Sequence, residues 1–397
     1  MRVWEYLTAY PKLLSYTAKL FIIGLITILL GEIGTRIFKP QITFSTANKQ
    51  SGGDCFANDP LIPFTLRKNH VCKLVDYRGD FNTYASLNSL GFRGKDFSLE
   101  KVHGEKRILV LGDSITFGYG VSDSFTYPSL METLLKKQEK SQLEVINAGF
   151  ADGLSPDSYY VFLKNRGLDY KPDLIIMEFF VHNDIIDLAD NIWEKLDKNG
   201  LPAKISSCCS MVENGILRKK QIVFKYSIPF LRESQLFILL SGYLDPLFHL
   251  TNNSVYLGKG VYLNGCVFDP ECIHLLSPEE TKVQKVMLGI KKIAEENHIP
   301  FLVALFPSDL QLYPDAMGKY DLKAYPPKGN KDFIQKRLGQ FFSENSIAYL
   351  DLYPVFDQEK NRGYPFFIND AHLNNIGTQI AAETITDYLL KNKPDFL

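Results

Sequence analysis

Ser114, His372 and Asp370 are residue types that together can move an acyl group. A serine hydroxyl is a weak nucleophile until a base takes its proton. Histidine titrates in the range where that is useful, and an aspartate can fix the imidazole tautomer. Ser114 lies in ILVLGDSITFGYGV, residues 108–121, where an aliphatic run stops at Gly112-Asp113-Ser114. Two readings of this serine stand: the N-cap of a following helix, or a nucleophile at the mouth of a crevice. Asp370 and His372 lie far downstream, in NDAHLNNIG. A tetrahedral oxyanion also needs donors aimed at it. Candidates are the Ser114 N–H, the N–H of Gly149, where no side chain intrudes, and the amide of Asn183. Gly149 could instead serve a turn, and Asn183 an Asx-turn. Asp113, His182 and Asp184 read as local bond-formers beside these groups. Pro307-Ser308 is a candidate pocket lining. No CxxC or Cys/His spacing points to zinc.

These residues can act together only if the chain gathers them. Apolar, β-rich runs occur at 107–111, 143–147, 173–180, 300–306 and 346–351. They are nearly continuous rather than alternating, which predicts strands covered on both faces. Helical patterns lie between them, at 126–138, 157–168, 278–297, 330–344 and 374–391. In the third of these, Ser277 is the expected N-cap, Pro278 the first residue and Glu280 the capping-box partner. Strand and helix in alternation imply an α/β protein with a parallel sheet. In such sheets ligands bind outside the carboxyl ends of the strands. Gly112-Asp113-Ser114, Asn147-Ala148-Gly149 and His182-Asn183-Asp184 each follow a strand, and the Asp-x-His follows the last.

In this order the GDS-I-T, N-A-G, H-N-D and D-A-H-L-N segments resemble the four blocks of the SGNH (GDSL-type) hydrolases, across residues 107–391. The resemblance implies a three-layer, flavodoxin-like fold with a five-stranded sheet and no metal or organic cofactor. It also implies Ser114 as nucleophile, His372 as base, Asp370 as its orienter, and Gly149 and Asn183 as oxyanion donors. Two departures stand out. Val181 holds a glycine position of the third block, and Asp370 and His372 are two apart rather than three. The D-x-H form is similar to that of SGNH-like proteins that O-acetylate exopolysaccharides, which suggests carbohydrate-borne acyl groups.

The 397 residues carry a net charge of -1, so no basic field argues for nucleic acid. Residues 13–31 are apolar except for Lys19, close to the roughly 20 residues that cross a bilayer. Arg2, Lys12 and Lys19 before the apolar centre favour a cytoplasmic N-terminus. An uncleaved anchor is the preferred reading and a cleaved signal peptide the rival. Either puts the rest of the chain outside the cytoplasm, and the anchor would make the protein a single-pass membrane protein. Six cysteines fit that setting. Cys266–Cys272 and Cys55–Cys72 are candidate pairs, and adjacent Cys208 and Cys209 are unassigned.

The expected organisation is an anchor (1–38), an irregular extension (39–105), a core (106–184 and 277–397) and an insertion or cap (185–276). The apolar run 229–249 in the insertion is too interrupted by Arg232, Glu233 and Asp245 to form a second span. The function expected is a membrane-anchored, extracytoplasmic serine esterase acting through an acyl-enzyme on ester-linked, carbohydrate-borne groups. An O-acyltransferase for envelope polysaccharide and a non-catalytic binding or scaffold module are the alternatives.

Overall fold

The computed structural model describes residues 2–41, 43–45, 53–76, 78–139, 142–219, 228–248, 266–268, 270, 273–313, 316 and 331–392. Two compact units divide the chain. One comprises residues 1–48 and 221–256; the other comprises 49–220 and 257–397.

The larger unit is built on five parallel strands: β1 (Lys106–Gly112), β2 (Leu143–Gly149), β3 (Leu174–Phe180), β4 (Phe301–Phe306) and β5 (Ala348–Asp351). Their order is β2-β1-β3-β4-β5, a doubly wound arrangement with its switch point between β1 and β3. Every strand matches an apolar run of the sequence, within two residues at each end.

The reason for the continuous hydrophobicity is visible in two separate cores. Leu109 and Leu111 of β1, Ile175, Met177 and Phe179 of β3, and Val303 and Leu305 of β4 pack on one face. Ile108, Val110, Ile176, Phe180, Leu302, Ala304 and Phe306 pack on the other. Helix α4 (Pro156–Asn165) and helix α7 (Ser277–Glu296) supply Tyr159, Leu163, Val283, Val286 and Ile290 to the first core. Helix α3 (Tyr127–Glu139) and helix α9 (Asn375–Asn392) supply Met131, Leu135, Ile385 and Leu389 to the second. Burying one such aliphatic side chain contributes roughly 1.5–3 kcal/mol. Alternating strand residues thus face opposite layers, and no strand position can be polar without cost.

Helix α7 begins one residue earlier than the spacing predicts. Leu276, not Ser277, is its N-cap, and Ser277 donates to the His274 carbonyl instead. Glu280 forms no capping box; both its oxygens accept from Arg337 of helix α8 (Phe333–Glu344).

The extension contains two antiparallel hairpins, Phe56–Ala57 with Thr65–Leu66 and His70–Val75 with Asn82–Leu87. Cys55 and Cys72 are disulfide-bonded and join them. The interval 185–276 is divided. Its hairpins Asn191–Leu196/Pro202–Ser207 and Ser210–Glu213/Ile216–Lys219 belong to the larger unit, whereas residues 221–256 group with the N-terminal helix. Cys208 and Cys209, which no spacing rule could pair, are bonded to each other. Cys266 is disulfide-bonded, and Cys272 lies outside the described residues.

In the smaller unit, helix α1 spans Arg2–Phe38. Its stretch Tyr16–Phe38 has a mean hydropathy of 1.9 and is long and apolar enough to cross a membrane. Helix α6 (Gln235–Phe248) is the apolar helix of the 229–249 run.

Candidate active site

The site is built where β1 ends. Ser114 begins a single helical turn, α2 (Ser114–Phe117), and Asp113 is its N-cap, accepting from the Ile115 N–H at 2.7 Å. The serine is therefore not the cap; its neighbour takes that role and leaves the hydroxyl free to face elsewhere. Gly118 ends the turn at φ 82°, a left-handed conformation that glycine adopts without steric cost.

Ser114 Oγ lies 2.7 Å from His372 Nε2, and His372 Nδ1 bonds Asp370 Oδ1. Asp370 Oδ1 also accepts the His372 backbone N–H at 2.9 Å. The two-residue spacing thus suits the contact: one carboxylate holds both the ring and the main chain of its partner. Burial acts to lower the His372 pKa, but the charge and hydrogen bond of Asp370, with Asp113 and Asp152 adding to them, carry it upward. Burial likewise acts to raise Asp370, and His372, helped by Arg78, brings it down to about 2.

Expected oxyanion donors differ in availability. Among the described residues, no acceptor bonds the Ser114 N–H. The Gly149 N–H is already donated to Asn147 Oδ1 at 3.0 Å. What position 149 demands is the lack of a side chain, because a Cβ there would lie 2.1 Å from the Phe117 nitrogen. Asn183 Nδ2 donates to Asp113 Oδ2 at 3.0 Å and Asp187 Oδ2 at 2.8 Å, which uses both its hydrogens in this arrangement.

Beneath the Ser114 turn sits Glu178, fully buried. Its Oε2 accepts from the Asp113 N–H at 3.0 Å and from Thr116 Oγ1 at 3.2 Å. Gly112 makes room for it: a Cβ there would lie 2.3 Å from that oxygen. Burial, then the charges of Asp113 and Asp184, push the Glu178 pKa well above the carboxylate range. Asp184 is likewise raised, by burial first, and accepts from the Phe180 N–H and Tyr159 hydroxyl.

Of the other groups beside the site, Tyr119, Asp80 and Asn369 carry no motif signal, whereas Asn374 closes the D-A-H-L-N segment. The Tyr119 ring lies 4.7 Å from the His372 ring, centroid to centroid. Asp80, in the extension, accepts from Asn369 N at 2.7 Å and Asn369 Nδ2 at 3.0 Å, bracing the residue before Asp370. Asn374 ties the same loop, donating to the carbonyls of Tyr364 and Phe366. The extension read as irregular is thus part of the framework of the loop that carries Asp370 and His372.

Val181 is fully buried in the first core and donates its N–H to Phe306 O, so its side chain fills core. His182 Nδ1 pairs with Ser308 Oγ at 2.9 Å, and Ser308 caps the short helix Asp309–Leu312. Asp190, Cys208 and Cys209 bring donor atoms within 4.8 Å of one another, but the two sulfurs are bonded to each other.

No protein-family model matches the chain, and no curated protein matches it. Among solved structures it is similar to the lipase/acylhydrolase from Enterococcus faecalis, at 13% identity and a TM-score of 0.38, covering 72% of this chain and 95% of that one. It is also similar to a member of the lipolytic protein G-D-S-L family from Veillonella parvula, at 13% identity and a TM-score of 0.36, covering 73% and 98%. A carbohydrate acetylesterase family member from Sinorhizobium meliloti matches at 11% identity and a TM-score of 0.35, covering 72% and 98%. Likeness at this level decides neither family nor activity, so the functional reading rests on the site.

Proposed function

We propose that the chain is a membrane-anchored SGNH-type serine esterase whose catalytic unit works outside the cytoplasm. One observation carries the reading: a serine at a strand end bonded to a histidine that is bonded in turn to an aspartate. Ser114 Oγ attacks the ester carbonyl while His372 Nε2 takes its proton. Asp370 keeps the other ring proton on Nδ1 and stabilises the imidazolium that forms. The Ser114 N–H meets the developing oxyanion, and Asn183 joins it by exchanging one carboxylate contact for the substrate oxygen. Collapse of the tetrahedral species expels the alcohol, which takes the proton from His372. Water, activated by the same histidine, then cleaves the acyl-enzyme.

The substrate we favour is an acetyl group carried on a glycan, on the strength of the D-x-H spacing described above. The N-terminal apolar stretch supports attachment to the lipid bilayer through residues 13–31. Labelling of the full-length protein in detergent with a fluorophosphonate tests the nucleophile. Label should enter wild type and be lost in Ser114→Ala and His372→Ala. Equal labelling of all three would remove the catalytic reading and leave a binding module. Acetylated sugar formed when sugar oligomers are added would assign acyl transfer in place of hydrolysis.

A further inference from the structure

Within the smaller unit, helix α6 is fastened to the end of helix α1. The Glu32 carboxylate accepts from Gln235 N at 3.1 Å, Leu236 N at 3.0 Å and Ser234 Oγ at 2.8 Å. The first-turn N–H groups of a helix have no partner of their own, so Glu32 caps α6 from a different helix. Leu236 packs against Gly31, with its Cδ2 2.8 Å from where a Cβ would stand. Lys39 Nζ donates to the Tyr243 hydroxyl at 3.0 Å, and Gln41 N to Gln235 Oε1 at 2.9 Å. Gly31 and Glu32 lie in the last two turns of the apolar stretch Tyr16–Phe38, and Lys39 and Gln41 lie just beyond it.

One face of α6 is apolar and partly exposed. Leu240, Tyr243 and Leu244, spaced i, i+3, i+4, are 48%, 60% and 41% exposed, and Phe230 just before the helix is 82% exposed. Ile33, Ile37 and Phe38 of α1 are exposed as well. Polar groups gather around the helix start: Glu233 accepts from Ser45, and the Arg232 guanidinium lies 4.2 Å from the Phe44 ring centroid.

We propose that α6 is an interfacial membrane helix, with Leu240 and Leu244 seated among the acyl chains of the leaflet from which α1 emerges and Tyr243 at headgroup level. The inference rests on the anchor reading above. Lipid is the occupant because α6 is tied to the last two turns of the candidate span and to Lys39 and Gln41 just after it, so it lies beside the part of the span that approaches the headgroup boundary. The 14 residues of α6 extend about 21 Å, too short to cross and suited to lying along that boundary. A Tyr hydroxyl bonded to a Lys ammonium is the pairing expected at headgroup level.

The test uses the full chain in phosphatidylcholine vesicles, with and without brominated acyl chains. Tryptophan emission of Leu240→Trp, Leu244→Trp and Val71→Trp is compared with that of the parent. Val71 is exposed on a hairpin of the larger unit and serves as the water-facing reference. The emission added at 240 and at 244 should be largely lost to bromine, and that at 71 retained. A chain that floats with the vesicles while 240 and 244 behave like 71 overturns this inference alone. A chain that fails to float overturns the anchor, and this inference with it.

Discussion

Ser114 Oγ and His372 Nε2 stand 2.7 Å apart although 258 residues separate them in the chain. Only the doubly wound sheet brings them together, since β1 delivers one and the loop before α9 delivers the other. The same loop holds Asp370, so the proposed base and its proposed orienter arrive as one piece.

The protonation of His372 sets the first expectation. Burial lowers its pKa, and Asp370 more than reverses that, so the net direction is up. The base must be neutral to accept the serine proton. An acid limb in kcat/KM should therefore lie above the ordinary histidine value of about 6.5. Asp370→Asn should move the limb to lower pH and reduce kcat by about 10³–10⁴-fold. A limb that does not move would count against Asp370 as orienter. Stability has the opposite sign. The His372 contribution is complete below its unfolded value and is lost as pH rises through the folded one, whereas that of Asp370, whose pKa is lowered, is complete above its unfolded value and is lost as pH falls toward the folded one.

The oxyanion donors can be separated by mutation. Asn183→Ala should lower kcat by about 10²–10³-fold with KM little changed, as for loss of a donor used in the transition state. Gly149→Ala should act on folding instead, because its methyl would strike the α2 backbone, at a cost of about 1–3 kcal/mol or more. Urea midpoints and steady-state rates on both variants would tell the two roles apart. Gly149→Ala with a wild-type midpoint and a large kcat loss would restore the donor role to Gly149.

Glu178 gives a pH dependence of stability. Its pKa is raised in the folded protein, so its proton is held more tightly there than in the unfolded chain. Such a group stabilises fully below its unfolded value, about 4.3, and the contribution is lost as pH rises through the folded value. Glu178→Gln keeps an acceptor for the Asp113 N–H and cannot ionise. Its urea midpoint should gain on wild type as pH is raised. Parallel curves would show that Glu178 does not titrate in this way.

The disulfides are open to direct measurement. Cys55 and Cys72 are 17 residues apart, and a cross-link closing a loop of that length contributes about 3 kcal/mol. The Cys55→Ser, Cys72→Ser double variant should lose roughly that amount of stability. Peptide mapping without reduction should recover Cys208 and Cys209 as one oxidised peptide resistant to alkylation. An alkylated thiol at either position would remove that bond.

Much of this protein was legible in its sequence. Each of the five strands announces itself as a nearly continuous apolar run, because both faces of a doubly wound sheet are buried. Ser114, Asp370 and His372 could be singled out because acyl transfer needs those side chains at strand ends. The tertiary structure decided what depends on contacts between distant segments. It made Asp113 the cap beside Ser114, spent the Gly149 N–H on Asn147, and placed Glu178 under the Ser114 turn. It also drew the extension toward the Asp370 loop through Asp80 and Asn369, and joined α6 to α1 through Glu32. Periodic burial leaves its mark on neighbouring residues of one chain. Hydrogen bonds and charge pairs between segments leave none, since they exist only once the fold has brought the partners within about 3 Å.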